Sequence, residues 1–475
     1  MPTMLEHISS VFRGTVVTSL PDRTLSILED YLIIVDKQGF VAHCEAASTE
    51  ASAEHLSLIP PEKVVQLGND GWLLPGFVDT HIHAPQYVNT GMALDEPLMV
   101  WLEKYTFRVE SRIDLDPHGL GRRVYEKLVQ RLLENGTTAA SVFGTISVEA
   151  NLVLARAFLD AGQRGQIGKV AMDQNSLPTY IESTASSLAA TQTFIEEMRS
   201  LVSSLAPHEQ IVEPVVTPRF VPTCSLKLLK DLAELAKKEN VRLQSHMCES
   251  QGMVDFCKGL LRGRSDVEVL HELGLLYEKS LMAHCTHSSQ SDLDLLTSTG
   301  TSIAHCPLSN AYFSAERQLP LREALGTGVK VGLGSDISGG YRVGLDESMR
   351  WAVGIARLRE GERQRSRPSQ AEAERNLAMT WKEALYLATL GGAQALGLDT
   401  ERKVGTLEVG AAFDAQWIQI GGKGSRVDWF DLEEEDGSLK KVTLEEKLEK
   451  WWCNGSEADR KAVWVQGKKV YEQAQ

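Results

Sequence analysis

The chain has 475 residues, 43% of them hydrophobic and 24% charged. That is enough to bury a large core and to hold a barrel-sized domain with a smaller companion. The formal net charge of −15 repels phosphate backbones and excludes nucleic acid as the expected partner, and no run reaches the roughly 18 apolar residues that suggest a membrane span.

The opening residues, Met1 to Arg13, lack a continuous apolar stretch of the kind a secretory signal needs. Seven cysteines are scattered without a CxxC pair, which argues against a disulfide framework and for a reducing compartment, so a cytoplasmic protein is expected.

From residue 11 to about 70 the sequence reads as short strands with turns: Gly14-Thr-Val-Val-Thr-Ser, Leu25-Ser-Ile-Leu and Tyr31-Leu-Ile-Ile-Val, with Asp36-Lys-Gln-Gly-Phe as a tight turn. A new pattern begins at Pro75-Gly76 and runs to about residue 397, with short apolar runs alternating with helical stretches. The strand candidates are Leu73 to Val78, Thr137 to Phe143, Lys169-Val-Ala-Met-Asp, Ile211-Val-Glu-Pro-Val-Val, Arg242-Leu-Gln-Ser, Ser280-Leu-Met-Ala, Thr301-Ser-Ile-Ala and Val329-Lys-Val-Gly-Leu. Helices are expected between them, among them Leu226 to Glu239 and Gln251 to Gly259. About eight such units over roughly 300 residues predict an α/β fold of the TIM-like (β/α)8 type. An open doubly wound sheet is the rival, but no GxGxxG follows the first strand. After about residue 400 strands return, at Gly405-Thr-Leu-Glu-Val-Gly, Phe413-Asp-Ala-Gln-Trp-Ile and Lys461 to Val470. Between them lies an acidic stretch from Asp428 to Lys450, read as a solvated insertion with a helix at Leu444 to Trp451.

The histidines carry the chemistry. His81-Ile-His83 follows an apolar run, and residues i and i+2 of a strand share a face, so both imidazoles can reach one metal ion. HxH alone is weak evidence. However, His246 ends the candidate strand at Arg242, His284 ends the one at Ser280, and Asp336 follows Val331-Gly-Leu-Gly-Ser. In a barrel, strand ends converge on the catalytic face. A lone histidine there is more often a hydrogen-bonded core residue, but five metal-competent residues at successive strand ends predict a metal centre. Glu249, three residues past His246, is placed to move protons beside the metal; the plainer alternative is an acid favoured by a helix N-terminus. His43-Cys44-Glu45 matches the H-x-E of a different zinc deaminase fold, but the P-C-x-x-C that fold requires is missing, so the match is read as chance.

Pro75-Gly-Phe-Val-Asp-Thr-His-Ile-His83, His246, His284 and Ser335-Asp336 together resemble the amidohydrolase superfamily, as does the closing Ala388-Thr-Leu-Gly-Gly-Ala, Leu396-Gly-Leu, Gly405-Thr-Leu-Glu-Val-Gly. Five further stretches resemble the guanine deaminases: His81 to Tyr87, Trp101-Leu-Glu-Lys-Tyr-Thr-Phe107, Thr217-Pro-Arg-Phe220, Gln244-Ser-His-Met-Cys-Glu249 and His305-Cys-Pro-Leu-Ser-Asn310. The likeness runs from about residue 10 to the end of the chain. The sequence departs from the family pattern at Arg108, Cys285 and Leu308, and none of these departures removes an expected ligand or base contact. The resemblance implies a small β-sandwich built from both chain ends, over residues 1–74 and 400–475, with the insertion at about 424–460. The metal-dependent barrel then spans residues 75–399.

The resemblance implies hydrolytic deamination of guanine to xanthine and ammonia, within purine catabolism or salvage, by a homodimer. It implies zinc held by His81, His83, His246, His284 and Asp336, with Asp336 as the base, Glu249 as the proton shuttle to the ring and leaving amine, and His284 orienting the water. One zinc ion per subunit is expected: no lysine lies in Val215 to Phe220, and Lys169 sits at the start of its strand candidate, so neither can bridge two metals. Arg219 suits the O6 and N7 acceptors of guanine. Phe220 and Trp101 would wall the pocket, Gln86 would meet the polar edge of the base, Leu102 would pack against it, and His246 and Glu249 would touch it. An ion-paired Arg219 and an ordinary core Trp101 are the plainer alternatives. The rival functions are another nucleobase or heterocycle deaminase of the same superfamily (cytosine, adenosine-type or triazine ring), a non-enzymatic scaffold, or a closed structural metal site.

Overall fold

Strand and helix alternate through the middle of the chain in the computed structural model, which describes residues 7–366, 376–434 and 438–474. Eight strands, β6 (Phe77–His83), β7 (Thr137–Phe143), β8 (Arg164–Ala171), β9 (Val212–Pro218), β10 (Arg242–Met247), β11 (Ser280–His284), β12 (Ser302–His305) and β13 (Val331–Leu333), pair in sequence order as one parallel sheet. Its two edges meet just past β13, where Asp336 N donates to His81 O at 2.8 Å and His83 N to Ile337 O at 2.7 Å. This is the barrel that the alternating pattern predicts. All eight strands are almost wholly buried, as strands covered on both faces must be.

The strands outside the barrel build a second sheet of eight. It comprises β1 (Ile8–Ser19), β2 (Leu25–Asp36), β3 (Val41–Ala46), β4 (Val64–Gln66), β5 (Gly71–Pro75), β14 (Ala415–Gln419) and, beyond a small hairpin of β15 (Leu432–Glu433) and β16 (Leu439–Lys440), β17 (Arg460–Val465) and β18 (Lys468–Glu472). Strands from the two ends of the chain are interleaved in the order β18-β17-β14-β5-β1-β2-β3, with β4 beside β1. Phe12, Phe413 and Trp464 pack ring against ring in its core. The buried pair Arg164–Asp414 ties this sheet to the barrel: Arg164 Nε and Nη2 each donate to Asp414 at 2.9 Å.

The structure revises several readings of the sequence. Gly405 to Gly410 forms turns rather than a strand, and the candidates at Leu25 and Tyr31 are one strand, β2. Leu73 to Val78 is not one strand, because the chain leaves β5 and enters β6 at Gly76. A Cβ on Gly76 would lie 2.1 Å from Thr138 Oγ1, so only glycine lets the two sheets approach there. Lys169 is near the C-terminal end of β8, not at its start. Its ammonium is nevertheless occupied elsewhere, donating to Glu182 at 2.8 and 3.0 Å and to Val170 O at 3.1 Å. In the acidic stretch, the helix Leu444–Asn454 forms, capped by Thr443, while residues 435–437 of the Glu433 run lie outside the described residues.

Candidate metal and base site

Four imidazoles and one carboxylate meet at the C-terminal mouth of the barrel. His81 and His83 come from the end of β6, His246 from β10, His284 from β11, and Asp336 from just past β13. All five are buried. Around the Asp336 carboxylate lie His81 Nε2 at 3.3 Å, His83 Nε2 at 3.7 Å and His284 Nε2 at 3.9 Å. His83 Nε2 and His246 Nε2 are 3.0 Å apart. His284 and Asp336 both hold positive φ, 70° and 49°. This costs a non-glycine residue energy and is found where function requires a fixed side-chain direction.

The outer nitrogens explain why these rings face inward. His246 Nδ1 lies 2.6 Å from Arg219 O, and His284 Nδ1 lies 2.8 Å from Asn310 Oδ1. A carbonyl oxygen can only accept, so each Nδ1 carries the proton and each Nε2 presents a lone pair to the centre. Both ring nitrogens of His81, and Nε2 of His284, are buried without a hydrogen-bond partner. Burial holds His81, His83 and His246 well below the ordinary imidazole value, and His284 is lowered by the same cause. Neutral imidazoles with inward lone pairs are the form that ligates a metal.

The potential ligand atoms lie within 4.8 Å of one another in overlapping groups: His81, His83 and His246; His246, Glu249 and His284; and His81, His284 and Asp336 with Cys306. The donor set of imidazole nitrogens and carboxylate fits a catalytic zinc. Cys306 was not anticipated. Burial pushes its thiol well above the usual range, which disfavours the thiolate form that ligates a metal.

Asp336 is fixed by its neighbours. A Cβ on Gly339 would sit 2.7 Å from both Asp336 Oδ2 and Ser309 Oγ. Beneath it, Asp79 clamps the barrel closure: its Oδ1 accepts from the backbone N–H groups of His81 and Ser335, and its Oδ2 from the Ser335 hydroxyl. Burial pushes the Asp79 carboxyl up to about 7.

A pocket opens onto this centre. Its lining contains every base-contact residue read from the sequence: Gln86, Trp101, Leu102, Arg219, Phe220, His246 and Glu249. It also contains four that were missed, Leu98, Ser309, Phe313 and Gly339. Trp101 is more than a core aromatic: its ring packs on Phe313 at 5.2 Å and its Nε1 donates to Met92 O. Glu249 lies just before the helix Gln251–Leu260 but does not cap it, since Ser250 does. Its carboxylate is 3.5 Å from His284 Nε2. Burial, with Asp336 next in weight and Arg219 opposing, raises its pKa well above the ordinary carboxyl value, the direction a proton donor needs.

Arg219 is buried. It lines the pocket, and it is ion-paired with a residue the sequence reading passed over. Glu110 Oε2 accepts from Arg219 Nη1 at 2.6 Å, and Oε1 from Nη2 at 3.1 Å. A signal for Glu110 was present: in the helix Phe107–Leu115 the buried positions are Phe107, Glu110 and Ile113, so a charge stands on the apolar stripe.

A parallel eight-stranded barrel with histidine and aspartate ligands at its strand ends defines a class of metal-dependent hydrolases, and residues 72–470 match the amidohydrolase family, to which the chain belongs. Within that family it is similar to guanine deaminases. It is 35% identical over 474 residues to the guanine deaminase of Dictyostelium discoideum, covering 98% of both chains. It is 35% identical over 466 residues to that of Homo sapiens, covering 98% of this chain and 97% of the relative. The structure superposes on guanine deaminase from C. acetobutylicum with guanine in its active site, with a TM-score of 0.82, 28% identity, and coverage of 97% of this chain and 100% of the other.

Proposed function

We propose that this chain hydrolyses guanine to xanthine and ammonia. The observation that carries the reading is that one pocket brings Glu249 and Arg219 beside His83, His246 and Asp336, with His81 and His284 in the same cluster of ligand atoms. Full-length similarity to guanine deaminases supports it.

Zinc is the metal the donor set favours, one ion per subunit, held by His81, His83, His246, His284 and Asp336. When bound, such an ion supplies a water acidified to a pKa of about 7. Asp336 receives the proton as water adds to C2. Glu249 donates its proton to N3, which drains charge from C2; its carboxylate then takes the C2 hydroxyl proton and passes it to the departing amine, and the proton held by Asp336 restores Glu249. His284, beside both acids, orients the water. The tetrahedral carbon expels ammonia, so guanine plus water gives xanthine plus ammonia. Arg219 donates to O6 and N7, Gln86 meets the polar edge, and Phe220, Trp101 and Leu102 enclose the ring faces. Adenine presents a donor where guanine has O6, so it leaves buried donors unmatched and is rejected.

The seven cysteines are free thiols, and no helix among the described residues is long and apolar enough to cross a membrane. We place the enzyme in the cytoplasm, as a homodimer acting in purine breakdown or salvage. The test is to follow xanthine and ammonia from guanine with the purified, zinc-loaded protein, running cytosine, adenine, adenosine and a triazine in parallel. Turnover of guanine alone supports the reading; turnover of another ring but not guanine overturns it.

A further inference from the structure

Glu110, set behind the pocket wall, is left unused by the proposed chemistry. It is wholly buried and carries four hydrogen bonds on its two oxygens. Besides the Arg219 fork, Gln86 Nε2 donates to Oε1 at 2.9 Å and the Tyr180 hydroxyl donates to Oε2 at 2.8 Å. Two side chains that face the base, Arg219 and Gln86, are thus held by one carboxylate that does not line the pocket. Arg219 is also packed 5.0 Å from the centre of the Phe107 ring, one turn before Glu110 on the same helix.

The geometry has two consequences. The carboxylate takes one hydrogen each from Nη1 and Nη2, so Arg219 is left to present its Nε–H and remaining Nη hydrogens. Gln86 is likewise fixed with its amide nitrogen toward Glu110, its Oε1 facing Ser338 N at 3.4 Å. The second consequence is electrostatic. A lone buried guanidinium would favour an anion, whereas a guanidinium paired with a buried carboxylate is close to neutral. Deamination replaces an amine by a carbonyl and a ring N–H, so the product is a stronger acid than the substrate. An unpaired Arg219 would hold the deprotonated product.

We propose that Glu110 is a positioning and specificity residue: it aims Arg219 and Gln86 at a neutral purine and cancels the Arg219 charge so that the anionic product is released. The inference rests on the reading of this pocket as a guanine site.

The test compares wild type with Glu110→Gln, which keeps the size and an acceptor but removes the charge. The expected result is a KM for guanine raised at least about thirtyfold, the lower end for unpairing one buried charge partner at a binding site, with kcat changed less than about threefold. The inhibition constant for xanthine divided by the KM for guanine should fall by a comparable factor. A folded, zinc-loaded variant in which that ratio is unchanged overturns the inference, even if activity drops. Should Glu110→Gln not fold, the cycle is run with Arg219→Gln and the Arg219→Gln, Glu110→Gln double variant, which carries no uncompensated charge. The second substitution should then add little to the first, and additive losses overturn the inference. Failure of wild type to deaminate guanine would instead reject the functional reading, so the two failures are told apart.

Discussion

Replacing Asn310 by alanine should loosen the metal without touching a ligand. In the folded protein Asn310 Oδ1 accepts from His284 Nδ1 at 2.8 Å. The other bonds of Asn310 are made by its main chain, from its N–H to Cys306 O and from Ser314 N and Gln318 Nε2 to its carbonyl, and its Nδ2 makes none. The substitution therefore removes one interaction. With the acceptor gone, His284 has two choices. It can keep its orientation and bury an unsatisfied N–H, at about 1–3 kcal/mol, or it can move the proton to Nε2 and cease to be a ligand. At about 1.4 kcal/mol per tenfold, the first choice alone weakens zinc binding about 5- to 150-fold, in line with the ~10- to 100-fold typical of outer partners of metal ligands. The assay strips the protein of metal, titrates zinc back against a competing chromophoric chelator, and monitors the fold by circular dichroism. Asn310→Asp keeps the acceptor and should keep the affinity. An alanine variant that binds zinc as tightly as wild type, or an aspartate variant that loses as much as alanine, refutes the account of how His284 is oriented.

Glu249→Gln should lower kcat by about 10² to 10⁴, the usual contribution of a positioned proton donor, while leaving KM within a few fold; a loss below tenfold in stopped or continuous xanthine assays would dismiss it as the shuttle. Asp414→Ala strands the buried Arg164 guanidinium and should cost about 3–5 kcal/mol. A chain of this length has an unfolding entropy of about 1 kcal/mol/K, so the melting temperature should drop by about 3–5 °C in calorimetry. Asp114 gives a pH signature: burial, with the Glu110 charge adding, pushes its carboxyl up to about 7. The protonated form thus favours the folded state, a contribution complete below the unfolded value of about 3.9 and lost as pH rises through 7. Asp114→Asn should gain on wild type in urea midpoint between pH 4 and 8, and a constant difference across that range would show the shift is absent.

The barrel and its metal-competent residues were readable because both follow from local rules. Strand alternation with helices is a periodicity, and ligands at strand ends must lie on one face whatever fills the loops. The boundary at Gly76 was not readable, since β5 and β6 are one apolar run and only the approach of Thr138 shows why the chain turns there. Lys169 was placed at the wrong end of its strand because the strand opens with Arg164-Gly-Gln, a polar start that hides a buried segment: Arg164 pairs with Asp414, and Gln166 with Glu213 and Leu396 O. All three partners lie at least 47 residues away. Glu110 was missed for a similar reason. A carboxylate on an apolar stripe looks like a defect until the guanidinium 109 residues later is known to meet it.

The interleaving of the outer sheet sets an order of events in the life of the chain. Strand β5 lies between β1 and β14, so a strand made early finds one neighbour at once and waits for the other until more than 300 further residues have been synthesised. Until then its edge is open, and an unpaired edge invites association with any other extended chain. A nascent chain of this protein is thus most exposed to misassembly late in translation, when the barrel is nearly complete and the last strands have yet to emerge. Slowing synthesis between residues 400 and 415 should aggravate that hazard more than slowing it anywhere within the barrel.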